Sequence, residues 1–163
     1  QRGYVDVGFM GGAQIDRHGN LNSSFIGDAG KPAVRLPGSG GGNDISSLAD
    51  MIVAMKHEKR RFVEQVDFVT SPGFLRGSTS RRDSGLPAGG MFRVVTDLAI
   101  FAFDDVTRRM KVISLNPGVT KQQLQDNTGF EVEYDENFAT TEPPSDHELK
   151  VLRTYDPDRL FTA

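Results

Sequence analysis

The stretch that most narrows the fold is MIVAM, Met51 to Met55. It is an unbroken apolar run, with Asp50 before it and Lys56 after it. Globular helices average about 10–14 residues, and this run is far shorter. A short continuous apolar run reads as a strand buried on both faces. Such a strand needs a layer above and a layer below, which directs the chain to an α/β architecture.

The flanking segments agree. YVDVGFM, residues 4–10, is β-branched and aromatic and reads as a strand. His18-Gly19-Asn20 is a turn signal. Residues 21–27 read as a short strand or an irregular return, and residues 34–36 as extended. VDFVT, residues 66–70, reads as a further strand, and residues 76–90 have the composition of a mobile loop. Residues 92–115 hold three strand-like runs with two tight turns, which is an antiparallel meander. Thr120 with Gln123, and Ser145 with Glu148, have capping-box spacing, and Gly129 follows the first as a stop. Residues 135–144 read as extended. The sum is one domain, residues 1–163, with an open, mainly parallel sheet, short helices and an antiparallel strand meander.

Composition removes several classes of function. The chain has no cysteine, so disulfides and thiolate metal sites are excluded. Its three histidines, His18, His57 and His147, are far apart in sequence, which argues against a histidine metal site. Net charge is −3, which disfavours nucleic acid and anionic membrane as partners. No apolar run approaches the roughly 18–20 residues of a membrane span, and no signal peptide is visible. The expected location is cytoplasmic.

GSGGGND, residues 38–44, is the feature with chemical content. Gly38, Gly40, Gly41 and Gly42 fall within five positions, and ordering glycine costs conformational entropy. The segment is not a phosphate-binding Walker loop, because no Lys-Ser/Thr follows it. It is not the dinucleotide fingerprint, because position 43 is Asn. It is not a nucleophile elbow, because Pro37 stands two residues before Ser39. A plain flexible turn and a nest of backbone N–H groups for an anion or oxyanion both remain open. Asn43 or Asp44 is expected to cap the helix that follows.

Other polar residues have ordinary readings beside functional ones. Asp16 and Asp44 are expected in turns or caps. His57 is expected to pack or cap. Arg60, Arg61, Arg81 and Arg82 suit a second carboxylate of a dicarboxylic acid, but a solvated surface role is the default. Gln14 and Asn22 flank the first turn, where strand ends often line a ligand crevice.

Several ordered motifs then carry a resemblance. GFMGGAQIDRHGNLNSSFIGD, GSGGGNDI, KHEKRRFVEQVDFVTSPGFL, VVTDLAIFAFD and NTGFE together resemble the β subunit of glutaconate CoA-transferase, and more broadly the family I CoA-transferases. The resemblance runs from about Gly3 to DPDRLF near the C-terminus. It implies the CoA-transferase fold type and a ping-pong transfer of coenzyme A between two carboxylic acids, such as acetate and glutaconate. A glutamate carboxylate would attack the thioester, and a glutamyl-CoA thioester would form as intermediate.

The resemblance places Gly38, Ser39, Gly40, Gly41 and Gly42 as the oxyanion loop facing the CoA thioester, and Gln14 and Asn22 near the acyl pocket. It places the nucleophilic glutamate upstream of Gln1, so no catalytic residue is named here. It implies coenzyme A as substrate with no bound cofactor and no metal. The implied partners are an α subunit, an N-terminal β segment, an acyl-CoA and a carboxylic acid. On this reading the chain is the C-terminal portion of a β subunit and is inactive alone. The alternatives are an acyl-CoA hydrolase or decarboxylase on the same fold, and a non-catalytic subunit that binds CoA esters.

Overall fold

A computed structural model describes residues 4–87 and 89–160. In chain order the first strands are β1 (Val7–Met10), β2 (Gln14–Ile15), β3 (Leu21–Asn22), β4 (Phe25–Gly27) and β5 (Pro32–Arg35). Helix α1 (Gly42–Leu48), β6 (Asp50–Ala54), the one-turn α2 (Ser80–Asp83), β7 (Gly90–Val95), β8 (Ala99–Phe103) and β9 (Met110–Leu115) follow. Then come α3 (Lys121–Asp126), β10 (Glu133–Thr140) and α4 (Asp146–Tyr155).

One sheet organises them, in the order β1-β6-β7-β8-β9-β10. β1, β6 and β7 run parallel, β7 to β9 form the antiparallel meander, and β10 returns parallel to β9. Two small antiparallel pairs, β2-β3 and β4-β5, lie outside it. The α/β expectation and the mainly parallel sheet therefore hold.

The buried face of the sheet carries Met51, Val53, Met91, Val94, Phe101 and Val112. Ile15, Leu21, Phe62, Phe74, Leu124 and Phe130 complete the same core. Helix α1 sits directly on β1: a Cβ at Gly8 would lie 2.3 Å from Ile45 Cγ2. The other face is more open than the run at residues 51–55 suggests. Met51 and Val53 are fully buried, but Ile52 is half-buried, and Phe9, Phe92 and Val95 are exposed.

Other expectations change. Residues 66–70 form no strand: the Asp67 amide goes to a side chain, and backbone pairing with β3 is reached only at the end of the segment, in an isolated bridge between Leu21 and Ser71. The Asp67 amide donates to Gln14 Oε1 at 3.1 Å, and the Thr70 amide to the Leu21 carbonyl at 2.8 Å. The segment 76–90 is not a free loop. It contains α2, and Arg81 is buried, donating to the carbonyls of Ser46, Pro72, Gly73 and Pro87. Ala88 in that segment lies outside the described residues.

Gly129 is not a helix stop, since α3 ends at Asp126 with Asn127 as its cap. It is a close approach instead: its amide donates to Phe62 O at 2.7 Å, and a Cβ there would lie 2.5 Å from that oxygen. Thr120 caps α3 through the Gln123 amide, and Ser145 with Glu148 forms the full capping box of α4. No helix among the described residues is long and apolar enough to cross a membrane.

Candidate functional site

The glycine segment joins β5 to α1 and is held from one side by the chain that links β3 to β4. The Leu36 amide donates to Ser24 O at 3.0 Å, and the Gly38 amide to Ser23 O at 2.8 Å. The Ser23 hydroxyl donates to Gly38 O at 2.9 Å. Gly38 and Gly40 have φ of +93° and +49°, the left-handed region that L side chains avoid. The chain then turns into α1, with the Gly42 amide on Ser39 O at 2.7 Å and the Ile45 amide on Gly41 O at 3.0 Å. The N-cap is Gly41, with no side-chain cap, so neither Asn43 nor Asp44 caps the helix. Asp44 lies inside the first turn instead.

This accounting leaves three consecutive amides over. Those of Ser39, Gly40 and Gly41 have no acceptor among the described residues. All three residues are exposed. A Cβ at Gly38, Gly40 or Gly41 would meet nothing within 4 Å. Gly42 differs: a Cβ there would lie 2.8 Å from Met10 Cε and 3.0 Å from Ser71 Oγ. The first three glycines thus border open space, and the fourth packs against the core. Successive amides of this kind make a positive concavity suited to an anion or to oxygen that becomes negative.

Gln14 and Asn22 face each other across β2 and β3 and are buried. Asn22 Nδ2 donates to Gln14 Oε1 and Phe25 O, both at 2.7 Å. Gln14 Nε2 donates to Asp67 Oδ2 at 3.1 Å. Asn22 Oδ1 accepts from the Ser24 amide at 3.0 Å, and Thr70 Oγ1 accepts from the Ser23 amide at 3.0 Å. Both amide side chains are spent on the backing of the glycine segment. Ser23, Ser24 and Thr70, which carried no signal in the sequence, join them to it.

The remaining candidates fall elsewhere. Asp16 is buried and accepts from the amides of His18 and Asn20, the expected turn role. Burial pushes its carboxyl above the usual range. His57 packs, stacked on Phe62 at 3.8 Å between ring centres. Its Nε2 lies 3.0 Å from Thr128 Oγ1, and burial holds its pKa down at about 4. Arg60 and Arg61 share Glu58, and Arg82 pairs with its neighbour Asp83. Arg81 corrects the solvated reading, since it is buried. Among the described residues no cluster of His, Asp and Glu could hold a metal ion.

Comparison with known proteins gives the context. The family model for Coenzyme A transferase matches residues 1–127. The chain is 41% identical over 157 residues to the B-type subunit of 3-oxoadipate CoA-transferase from Pseudomonas knackmussii, covering 96% of this chain and 60% of that protein. It superimposes on the crystal structure of glutaconate coenzyme A-transferase from Acidaminococcus fermentans with a TM-score of 0.90 and 40% identity, covering 96% of this chain and 61% of that one. It is 37% identical to the cholesterol ring-cleaving hydrolase IpdB subunit of Rhodococcus jostii, over 93% of this chain and 60% of that protein. The chain therefore spans about three fifths of the length of the curated relatives it matches. With a family model over most of its length, and an α/β sheet that superimposes on a solved member, the chain belongs to the Coenzyme A transferase family.

Proposed function

We propose that this chain is the part of a B-type CoA-transferase subunit that presents the oxyanion-stabilising loop to a CoA thioester. The observation that carries the reading is the row of three unbonded amides at Ser39, Gly40 and Gly41, with open space beside Gly40 and Gly41. The enzyme would move coenzyme A from an acyl-CoA to a short dicarboxylic acid, in assembly with an A-type subunit. Soluble, cytoplasmic action belongs to the same proposal.

The chemistry explains why bare backbone is placed there. A carboxylate oxygen adds to the thioester carbonyl, and the carbonyl oxygen takes the negative charge. The C–S bond then breaks, releasing CoA thiolate and leaving an acyl–carboxyl anhydride. Thiolate attack at the enzyme's own carbonyl gives the enzyme thioester and frees the first acid. Return through the second acid completes the exchange. Every step passes through a tetrahedral oxyanion, and fixed donors aimed at it lower the barrier without reorganising. A side chain at Gly40 or Gly41 would hold the thioester away from those donors. In this reading Gln14 and Asn22 shape the acyl pocket from behind its wall, and the nucleophilic glutamate comes from the part of the subunit that the relatives have in addition.

The test is Gly41→Val in the complete B-type subunit with its A-type partner. Gly41 has a negative φ of −83° and empty surroundings, so a valine there meets no clash and the fold should persist at the modest cost of a poorer helix cap. The expected result is a kcat lower by about 10²–10³, as when an oxyanion donor is lost, with only a small fall in melting temperature. Near-normal kcat would refute the reading.

The 37% identity to a subunit named as a hydrolase supports a second reading, in which water replaces the acid acceptor. Incubation with acyl-CoA followed by borohydride or hydroxylamine separates the two. A trapped glutamyl-CoA adduct supports transfer, and hydrolysis without an adduct supports the second reading.

A further inference from the structure

We propose that Ser23 is a positioning residue for the free amides, acting through the carbonyl of Gly38. This rests on the oxyanion-loop reading above and adds a specific device to it. Ser23 grips Gly38 at both ends: its carbonyl accepts from the Gly38 amide at 2.8 Å, and its hydroxyl donates to the Gly38 carbonyl at 2.9 Å.

The second contact sets a direction. The peptide joining Gly38 to Ser39 is trans, like the other peptide bonds described. In a planar trans peptide the N–H points opposite to the C=O. Fastening the Gly38 carbonyl to the β3–β4 link therefore turns the Ser39 N–H the other way, into the open space beside Gly40 and Gly41. Glycine at position 38 makes this fastening necessary. It has no Cβ to hinder rotation, so nothing local stops the peptide from turning over. Turned over, it would present a carbonyl oxygen where negative charge develops.

The grip is itself anchored. The Ser23 amide donates to Thr70 Oγ1 at 3.0 Å, and the Ser24 hydroxyl lies 2.7 Å from the same oxygen. Asn22, fully buried, accepts from the Ser24 amide at 3.0 Å. The hydroxyl of Ser23 thus projects from a fixed, internally bonded link onto a glycine that has no stiffness of its own.

The experiment is Ser23→Ala in the complete B-type subunit with its A-type partner, assayed with acetyl-CoA and either glutaconate or 3-oxoadipate as acceptor. Donors that act only in the transition state change kcat and not KM. The expected result is a kcat lower by about tenfold to a hundredfold, below the cost of losing a donor outright. KM for acetyl-CoA should stay within about threefold of wild type. Ser23→Thr keeps the hydroxyl and should restore kcat to within a few-fold. Ser23→Cys keeps the volume but is a weak donor, and should fall between alanine and wild type. It serves as the test if the alanine variant does not fold.

Wild-type kcat in the alanine or cysteine variant would overturn the proposal. So would a raised KM with unchanged kcat, which would make Ser23 a direct substrate contact. If Gly41→Val loses turnover while Ser23→Ala keeps it, the loop reading stands and the positioning role falls. If Gly41→Val is normal, the loop reading itself has failed.

Discussion

Lowering the pH from about 7.5 to about 4 is expected to remove about 3 kcal/mol of stability through His57 alone. The ring is buried against Phe62 and between Thr96 and Thr128. Thr128 spends its own proton on Leu124 O at 2.7 Å, so it accepts from His57 Nε2. A ring proton on Nε2 fits that contact. Burial lowers the pKa from 6.5 to about 4, and the Asp97 carboxylate opposes this only in part. One pKa unit is about 1.36 kcal/mol, so the gap is worth about 3 kcal/mol. The folded pKa is the depressed one. The contribution is therefore complete above about 6.5 and is lost as pH falls towards about 4, because the unfolded chain takes up the proton first. Asp16 acts in the opposite sense, since burial raises its carboxyl and acid relieves a buried charge. The informative quantity is thus a difference: urea unfolding of wild type and His57→Phe at each pH, followed by circular dichroism. Wild type should lose about 3 kcal/mol more than the variant over that range. Parallel profiles would refute the reasoning.

Arg81→Met should destabilise the fold in urea titrations by about 1–3 kcal/mol for each buried acceptor left without a donor, because four carbonyls lose their shared donor. Arg81→Lys should recover less than half of that, since a point charge cannot reproduce the planar fork; full recovery would show that charge alone matters. Gly129→Ala should cost about 1–3 kcal/mol, because its methyl would lie 2.5 Å from Phe62 O. An unchanged melting temperature would show that the α3–β10 link yields freely.

The sequence was most readable where the signal is local. Met51 and Val53 announce a buried strand by composition. The meander announces itself by two short turns, and Ser145 with Glu148 by a spacing that needs no other part of the chain. Legibility failed where a residue's role is set by a distant backbone. Arg81 looks like any surface arginine until Pro72, Gly73 and Ser46 bring their carbonyls to it. Residues 66–70 have strand composition, but the Asp67 amide bonds to the Gln14 side chain, and pairing with β3 is confined to an isolated bridge between Leu21 and Ser71. The glycine segment was visible as a cluster, and the family resemblance gave it a chemical role. That Ser23 fastens Gly38 was not visible, because serine at such a position carries no periodicity and no motif of its own.

The glycines of this chain fall under two kinds of selection. Gly129 and Gly42 are held by packing, so a replacement announces itself as a less stable protein. Gly41 has a negative φ and empty surroundings, so its replacement should cost little more than a poorer helix cap. A screen for folded protein is nearly blind to that position, and on the oxyanion-loop proposal it is selection for turnover that keeps it. If that proposal holds, sequences drifting away from the activity should shed Gly41 while retaining Gly42, and that pair of positions would record the loss of the activity.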